Sequence, residues 1–317
     1  MNLKNKKVLV TGGAGFIGSH LTERLVNEGA KVTVIDNLKA GKKENLEKVK
    51  DKIKFIKGDI RNEELAEKLV QKNEIIFHFA ANASVPRSVE DPDLDFESNV
   101  IGTQILLEAA KKHPVKKFLY ASSAGVYGDS IYTPMDEKHP TNPISPYGIS
   151  KLTGERYGLI YYKLYKLPFV SGRIFNTYGP RQPRFIMFDF LKKLKENPRV
   201  LPIKGNGKQT RDYCYVADTV DAFILLAKKD ETVGEVYNIA SGHTISCIDL
   251  ARLMIKKLGL KAKITTEKNH RGWMGDAIYW VSDPTKIKQL GFNPKYDLNT
   301  GLTKLISWFE DKYGKIQ

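Results

Sequence analysis

A short apolar run, Lys7-Val8-Leu9-Val10, leads directly into Thr11-Gly12-Gly13-Ala14-Gly15-Phe16-Ile17-Gly18, and this junction constrains the chain more than any other. The apolar run reads as a buried strand, and the apolar spacing of Phe16, Ile17, Leu21 and Leu25 reads as a helix. Gly12, Gly15 and Gly18 permit a tight turn and close approach of backbone to a phosphate. The helix N-terminus that follows offers free N–H groups and the positive end of a dipole. A second apolar strand, Lys31-Val32-Thr33-Val34-Ile35, ends at Asp36. An acidic residue there is placed to bond ribose hydroxyls, which favours NAD over NADP. Asn37 follows with no Arg beside it, although Lys39, Lys42 and Lys43 are near enough to serve a 2′-phosphate.

Strand-like and helical runs alternate through the first half. The expected strands are Val8–Val10, Lys31–Ile35, Lys54–Ile56, Ile75–Phe79, Phe118–Ala121 and Pro168–Gly172, with helices such as Glu63–Gln71 and Asn99–Lys112 between them. This pattern predicts an α/β fold, a doubly wound parallel sheet of Rossmann type. The second half is less regular, with helical patterns at Phe185–Glu196, Val216–Lys228, Cys247–Leu258 and Leu302–Tyr313. It reads as a smaller, partly interleaved lobe. The expected division is residues 1–178 for the dinucleotide and 179–317 for the substrate, with the cleft between them.

Composition narrows the class. No run approaches the length of a membrane span, and the chain enters its first strand with no signal-like segment. Two cysteines, Cys214 and Cys247, make no disulfide framework; a cytoplasmic enzyme is expected. No spacing of ligands calls for a metal. The net charge of +15 allows nucleic-acid binding or a Lys-rich solvated surface. The lysines are scattered and not interleaved with aromatics, so the second reading is preferred, with neither nucleic acid nor membrane as partner.

Downstream, Ser145-Pro146-Tyr147 opens a helix, with Ser145 as cap and Pro146 in the first turn. Tyr147 and Lys151, four residues apart, share one face. A nearby ammonium and the positive ring of a bound nicotinamide both favour the phenolate and make Tyr147 a candidate base. Ser122 and Ser123 end the strand Phe118–Ala121, where a hydroxyl can hold the reacting oxygen.

These stretches, together with Gly58-Asp59-Ile60, His78-Phe79-Ala80-Ala81, Asn99-Val100-Ile101-Gly102-Thr103, Arg173–Pro180 and Thr210-Arg211-Asp212-Tyr213, resemble the extended short-chain dehydrogenase/reductase family of nucleotide-sugar epimerases and dehydratases. The similarity is greatest to UDP-glucose 4-epimerases. It implies an NAD site formed by Gly12, Gly15, Phe16, Ile17, Gly18, Asp36, Asn37, Asp59, Ile60, Phe79, Ala80, Ala81, Asn99, Ser122, Tyr147, Lys151 and Phe175. It implies that Ser123 and Tyr147 meet the sugar, that Asn176 and Arg211 hold the diphosphate, and that Leu201-Pro202-Ile203 lies against uracil. Arg271 and Asp276 belong to the C-terminal pattern that the family uses near the diphosphate, but two extra residues, Trp273 and Met274, interrupt it here.

The resemblance also separates reactions. Dehydratases and decarboxylases of this family carry acid and base groups just after the central hydroxyl residue, whereas this chain has Ala124 and Gly125. It therefore implies 4-epimerisation of a UDP-hexose by transient oxidation at C4. Trp280, four residues after Asp276, is the position that sets room beside C2; an indole there favours UDP-glucose and UDP-galactose. N-acetylhexosamine and uronate epimerases are the alternatives, then a dehydratase, and outside catalysis an NAD-binding sensor or nucleic-acid-binding scaffold. A homodimer is expected through the helices Asn99–Lys112 and Pro146–Leu164, with Tyr157, Ile160, Tyr161 and Leu164 as an apolar stripe.

Overall fold

The computed structural model describes residues 1–268 and 279–317. Its main sheet contains β1 (Lys7–Thr11), β2 (Lys31–Asp36), β3 (Ile53–Lys57), β4 (Ile75–His78), β5 (Lys117–Ser123) and β6 (Phe169–Ile174). The smaller strands are β7 (Asn176–Tyr178), β8 (Val200–Ile203), β9 (Thr210–Tyr215), β10 (Val236–Ile239), β11 (Thr244–Ser246), β12 (Lys263–Thr266) and β13 (Tyr279–Trp280). Seven strands form one sheet in the order β3-β2-β1-β4-β5-β6-β10, and every pair in it is parallel. This is an α/β fold of Rossmann type. β10, which lies past residue 179, supplies the last strand beside β6.

Both faces of the sheet are covered, which explains its continuous apolar runs. Alternate residues go to opposite sides. Val8, Val10, Val32, Val34, Ile75 and Phe77 pack with Leu21, Leu25, Val220 and Phe223 on one face. Leu9, Ile35, Ile76 and Phe118 pack with Ala66, Leu69, Leu106 and Ala109 on the other. A separate core joins the helices Phe185–Glu196, Cys247–Lys257 and Leu298–Tyr313 through Phe190, Leu194, Leu250, Met254, Leu305 and Phe309. Beside it lie the small sheets, β11-β9-β13 with β7 on β9, and β12-β8.

The strand order reverses between β1 and β4. Chains leave these neighbours in opposite directions, so a crevice opens beyond their C-terminal ends. Gly12 (φ +69°) turns the chain there, and a Cβ on it would meet the Ala80 backbone nitrogen at 2.6 Å. A Cβ on Gly18 would strike the Gly12 carbonyl oxygen at 2.2 Å. Glycine at these two places lets the first helix, Phe16–Asn27, seat directly on the turn.

Candidate active site

One cleft runs from the end of β2 across the glycine turn to the second core. It brings together Gly12, Gly15, Phe16, Ile17, Gly18, Asp36, Asn37, Asp59, Ile60, Phe79, Ala80, Ala81, Ser122, Ser123, Tyr147, Lys151, Phe175, Asn176, Ile203, Arg211 and Trp280. Residues more than 250 positions apart in sequence thus meet on one wall, because strand ends and loops converge at the reversal point.

The cleft fits a dinucleotide on three observations. No side chain caps the helix Phe16–Asn27, and its first turn carries no acid, so its positive end is left for a phosphate. A Cβ on Gly15 would meet only the Gly12 carbonyl oxygen, at 3.1 Å. The buried Ser122 hydroxyl on the cleft wall has no hydrogen-bond partner among the described residues. Asp36 also ties the turn together. Its carboxylate accepts from the Ala14 N–H at 2.9 Å and the Leu38 N–H at 2.8 Å. Beside it, Asn37 Nδ2 donates to Asp59 at 3.0 Å, and Arg61 pairs with Asp59 at 2.9 Å. That pairing holds the Asp59 carboxyl well below the usual carboxylate range.

Ser145 accepts from the Gly148 N–H at 3.1 Å and caps the helix Pro146–Tyr165, with Pro146 in its first turn. The helix carries Tyr147 and Lys151 to the ends of β4 and β5. Lys151 Nζ donates to the Ala121 carbonyl at 2.8 Å and lies 5.0 Å from the Tyr120 ring centre. Burial lowers its ammonium to about 8. Burial pushes the Tyr147 phenol up to about 12, against a smaller downward pull from the Ser123 hydroxyl. The protein alone therefore keeps Tyr147 protonated at neutral pH, and further positive charge must arrive with a ligand before it becomes a base.

Among the described residues, no acid lines the cleft beside Ser123 and Tyr147. A Cβ on Gly125 would lie 3.4 Å from Ser123 Oγ and 3.6 Å from the Tyr147 ring. Position 125 thus faces Ser123 and Tyr147 and brings no proton donor to them. The carboxylates on the cleft wall among the described residues are Asp36, Asp59 and Asp189. Asp36 ends β2, Asp59 follows β3, and Asp189 lies on the helix Phe185–Glu196.

Two of the expected residues do not line the cleft. Asn99 is buried behind the wall rather than on it. Its amide donates to Asp95 and to Ser150, both at 3.0 Å, and its carbonyl oxygen accepts from the Asn82 N–H at 2.8 Å. Leu201 is fully buried in the core shared by the helices Phe185–Glu196 and Cys247–Lys257, and Ile203, at the end of β8, is the residue of this strand on the cleft wall. Arg271 and Asp276 lie outside the described residues. The Tyr161 side chain also turns inward, with its hydroxyl donating to Glu108, whereas Tyr157, Ile160 and Leu164 are exposed.

Several wall residues carried no sequence signal, including Asn82, Arg87, Arg181, Gln182 and Gln209. Beneath the wall, His78 links Thr11 at 2.8 Å and Thr103 at 2.9 Å. Thr103 donates to the Asn99 carbonyl at 2.6 Å, so His78 Nε2 must donate to Thr103 and Nδ1 accept from Thr11. Thr11 in turn accepts the Ala80 N–H at 3.1 Å, which fixes the cleft backbone after β4. Burial holds His78 neutral, down to about 3. The run His78-Phe79-Ala80-Ala81 was the available signal for this relay.

Fold and site together define an extended short-chain dehydrogenase/reductase. The sequence pattern of the GDP-mannose 4,6 dehydratase family matches residues 9–305, and the chain belongs to this family of NAD-dependent epimerases and dehydratases. It is 38% identical over 315 residues to UDP-glucose 4-epimerase of Mycolicibacterium smegmatis, covering 96% of this chain and 99% of that one. It is 36% identical over 327 residues to human dTDP-D-glucose 4,6-dehydratase, covering 97% and 91%. The structure of UDP-glucuronic acid 4-epimerase from Bacillus cereus, in complex with UDP-glucuronic acid and NAD, superposes with a TM-score of 0.89 at 32% identity, covering 97% and 100%. Among the described residues, no helix is long and apolar enough to cross a membrane, and no cluster of side chains could hold a metal ion.

Proposed function

We propose that this protein catalyses 4-epimerisation of a UDP-hexose with bound NAD, with UDP-glucose and UDP-galactose as the preferred pair. The observation that carries the reading is the grouping of Ser123, Tyr147 and Lys151 beside an empty-handed Gly125. Bound NAD would supply reversible hydride acceptance at C4. Gly12, Gly15, Asp36, Phe79, Ser122 and Lys151 would hold it. Tyr147 takes the C4 hydroxyl proton and returns it after the 4-keto sugar has turned over. Lys151 favours the phenolate, and Ser123 holds the oxygen. Asn176 and Arg211 hold the diphosphate, and Ile203 lies against the base. Elimination of water needs an acid and a base near C5 and C6, for which the dehydratase relatives provide the rival reading. The deciding assay exposes the purified protein to UDP-hexoses, their N-acetyl forms, UDP-uronates and dTDP-glucose. Inversion at C4 without loss of water is the expected product; a 4-keto-6-deoxy sugar would overturn the reading.

Trp280 supports the choice of sugar. Its Nε1 donates to the Gly128 carbonyl at 2.9 Å, and its ring packs on the cluster around Tyr127 and Phe175 while facing the cleft. The Arg211 guanidinium lies 5.2 Å from the ring centre. An indole held at both ends cannot easily withdraw, and steric rejection of a larger group is firm. Trp280→Ser should raise kcat/KM on UDP-N-acetylgalactosamine roughly 10-fold or more relative to UDP-galactose. A wild-type enzyme that already prefers the N-acetyl sugar would exclude the gate.

A homodimer completes the proposal. Ile149, Tyr157, Ile160 and Leu164 leave an exposed apolar face along the helix Pro146–Tyr165, continued by Phe96 and Ile101. Light scattering at micromolar protein should give twice the chain mass, and Leu164→Glu with Ile160→Glu should give the monomer. A wild-type monomer would refute the pairing.

A further inference from the structure

Beneath the cleft wall lies a carboxylate that the reaction above does not use. Asp212, on β9 beside Arg211, is fully buried. Its Oδ1 accepts from the Ser241 N–H at 2.9 Å and the Ser241 hydroxyl at 2.8 Å. Its Oδ2 accepts from the Gly242 N–H at 2.6 Å and the Ser282 hydroxyl at 2.5 Å. These four donors fill the lone-pair sites of a carboxylate, and hydrogen bonds to an ionised acceptor are the strong ones. The Asp212 carbonyl oxygen accepts in addition from Asn176 Nδ2 at 3.1 Å. Asp212 thus holds the wall residue Asn176, adjoins the wall residue Arg211, and reaches the segment that carries Trp280.

β13 contains two residues and pairs with β9 at two positions, Tyr279 with Thr210 and Trp280 with Arg211. It is shorter than the usual strand, and so short a ladder gives weak support. Past it, the Met135 N–H donates to the Val281 carbonyl at 2.7 Å, and the Asp283 N–H donates to the Met135 carbonyl at 2.8 Å. These bonds join the segment to the loop that follows Ser123. The Ser282 hydroxyl, 5% exposed, joins it to β9 instead. We propose that Asp212 is a positioning residue, whose carboxylate clasps Ser282 and so keeps Trp280 across the sugar end of the cleft. Trp280 is then tied to two separate parts of the chain. Its own Nε1 donates to Gly128, and Ser282, two residues on, donates to Asp212. The Arg211 guanidinium, 5.2 Å from the indole centre, belongs to the same strand as the clasp.

The inference rests on reading Trp280 as the gate of the sugar pocket, but its test uses no turnover. The chain has three tryptophans. In protein labelled with 15N at tryptophan, the Trp280 indole N–H signal is assigned by its loss in Trp280→Phe. Its exchange with deuterium reports how often the Nε1 bond to Gly128 opens. Ser282→Ala removes one hydrogen bond to a charged group, so exchange at Trp280 should quicken about 10-fold or more, while Trp308 keeps its wild-type rate. Ser241→Ala removes a hydroxyl from the same carboxylate but leaves Ser282 in place, and Trp280 should stay slow. An unchanged Trp280 rate in folded Ser282→Ala, or an equal rise in Ser241→Ala, would overturn the proposal. Should Ser282→Ala not fold, Ser282→Cys, whose thiol is a weak donor, decides in its place by the same readout. A Trp280 that loosens as expected while discrimination between UDP-galactose and UDP-N-acetylgalactosamine stays as in the wild type would refute the gate reading alone.

Discussion

Tyr147→Phe is expected to lower the rate of sugar inversion by roughly 10²–10⁴-fold, the usual worth of a positioned general base. That corresponds to roughly 3–5 kcal/mol of transition-state stabilisation. The ring remains in place and only the oxygen is lost, so the fold and the Lys151 to Ala121 contact should persist. NAD content and melting temperature should match the wild type. The pH dependence gives an independent check. The base must be deprotonated, and in the free protein Tyr147 is pushed up to about 12, chiefly by burial. Wild-type kcat/KM should therefore rise with pH towards the working value that Lys151 and the bound cofactor bring down. Lys151→Met should displace that limb to higher pH, because one of the two positive charges is gone. Residual activity of Tyr147→Phe should lack the limb. Substantial turnover by the purified variant would remove Tyr147 from its role.

The second large effect is on stability. Arg173 on β6 forms a two-pronged pair with Glu155, at 2.6 and 3.1 Å, with side chains 3% and 0% exposed. Arg173 also donates to Tyr127 Oη at 2.9 Å, and Tyr127 donates to Asn238 at 2.6 Å on β10. Ser171 donates to the same carboxylate at 2.9 Å. One guanidinium thus joins the helix of Tyr147 and Lys151, the loop after Ser123, and the seventh strand. Arg173→Met should cost about 3–5 kcal/mol, because it strands a charge in a dry interior. The melting temperature should fall on the order of 10 °C. Pairing Arg173→Met with Glu155→Leu should restore most of the loss, since no charge is then left uncompensated. A single variant as stable as the wild type, or a double variant no better than the single, would contradict this account.

Much of the site was legible because its signals are local. The glycine turn, Asp36 at the end of β2, and the Ser145-Pro146-Tyr147 helix start are each set by backbone sterics and capping within a few residues. The helices Glu63–Gln71, Phe185–Glu196 and Val216–Lys228 occupy the residues that their apolar spacing predicts. The six early strands fall where their apolar runs lie, each extended or trimmed by a residue or two at its ends.

Other features depended on partners far away in the chain. The run at Val236–Ile239 does not announce that it pairs with β6, because four residues carry no address for a neighbour 65 positions earlier. Small strands such as β7, β11 and β13 are too short for a period to show. A polar residue on a wall helix can face the ligand or the layer behind, and only packing sends Asn99 to Asp95 and Ser150 instead of into the cleft. Likewise, helical spacing groups Tyr161 with Tyr157 and Leu164, yet the contact with Glu108 draws it inward. The charge state of Tyr147 is also a property of its surroundings: sequence places Lys151 one turn away, but burial raises the phenol against the smaller downward pull of the Ser123 hydroxyl. The sequence by itself thus determined the Rossmann-type fold, the glycine turn after β1 and the helix that carries Tyr147 and Lys151, since these follow from short-range sterics and periodicity. The tertiary structure alone decided which way each side chain faces and how far each ionisable group is shifted, because both depend on desolvation and charge contributed by distant segments.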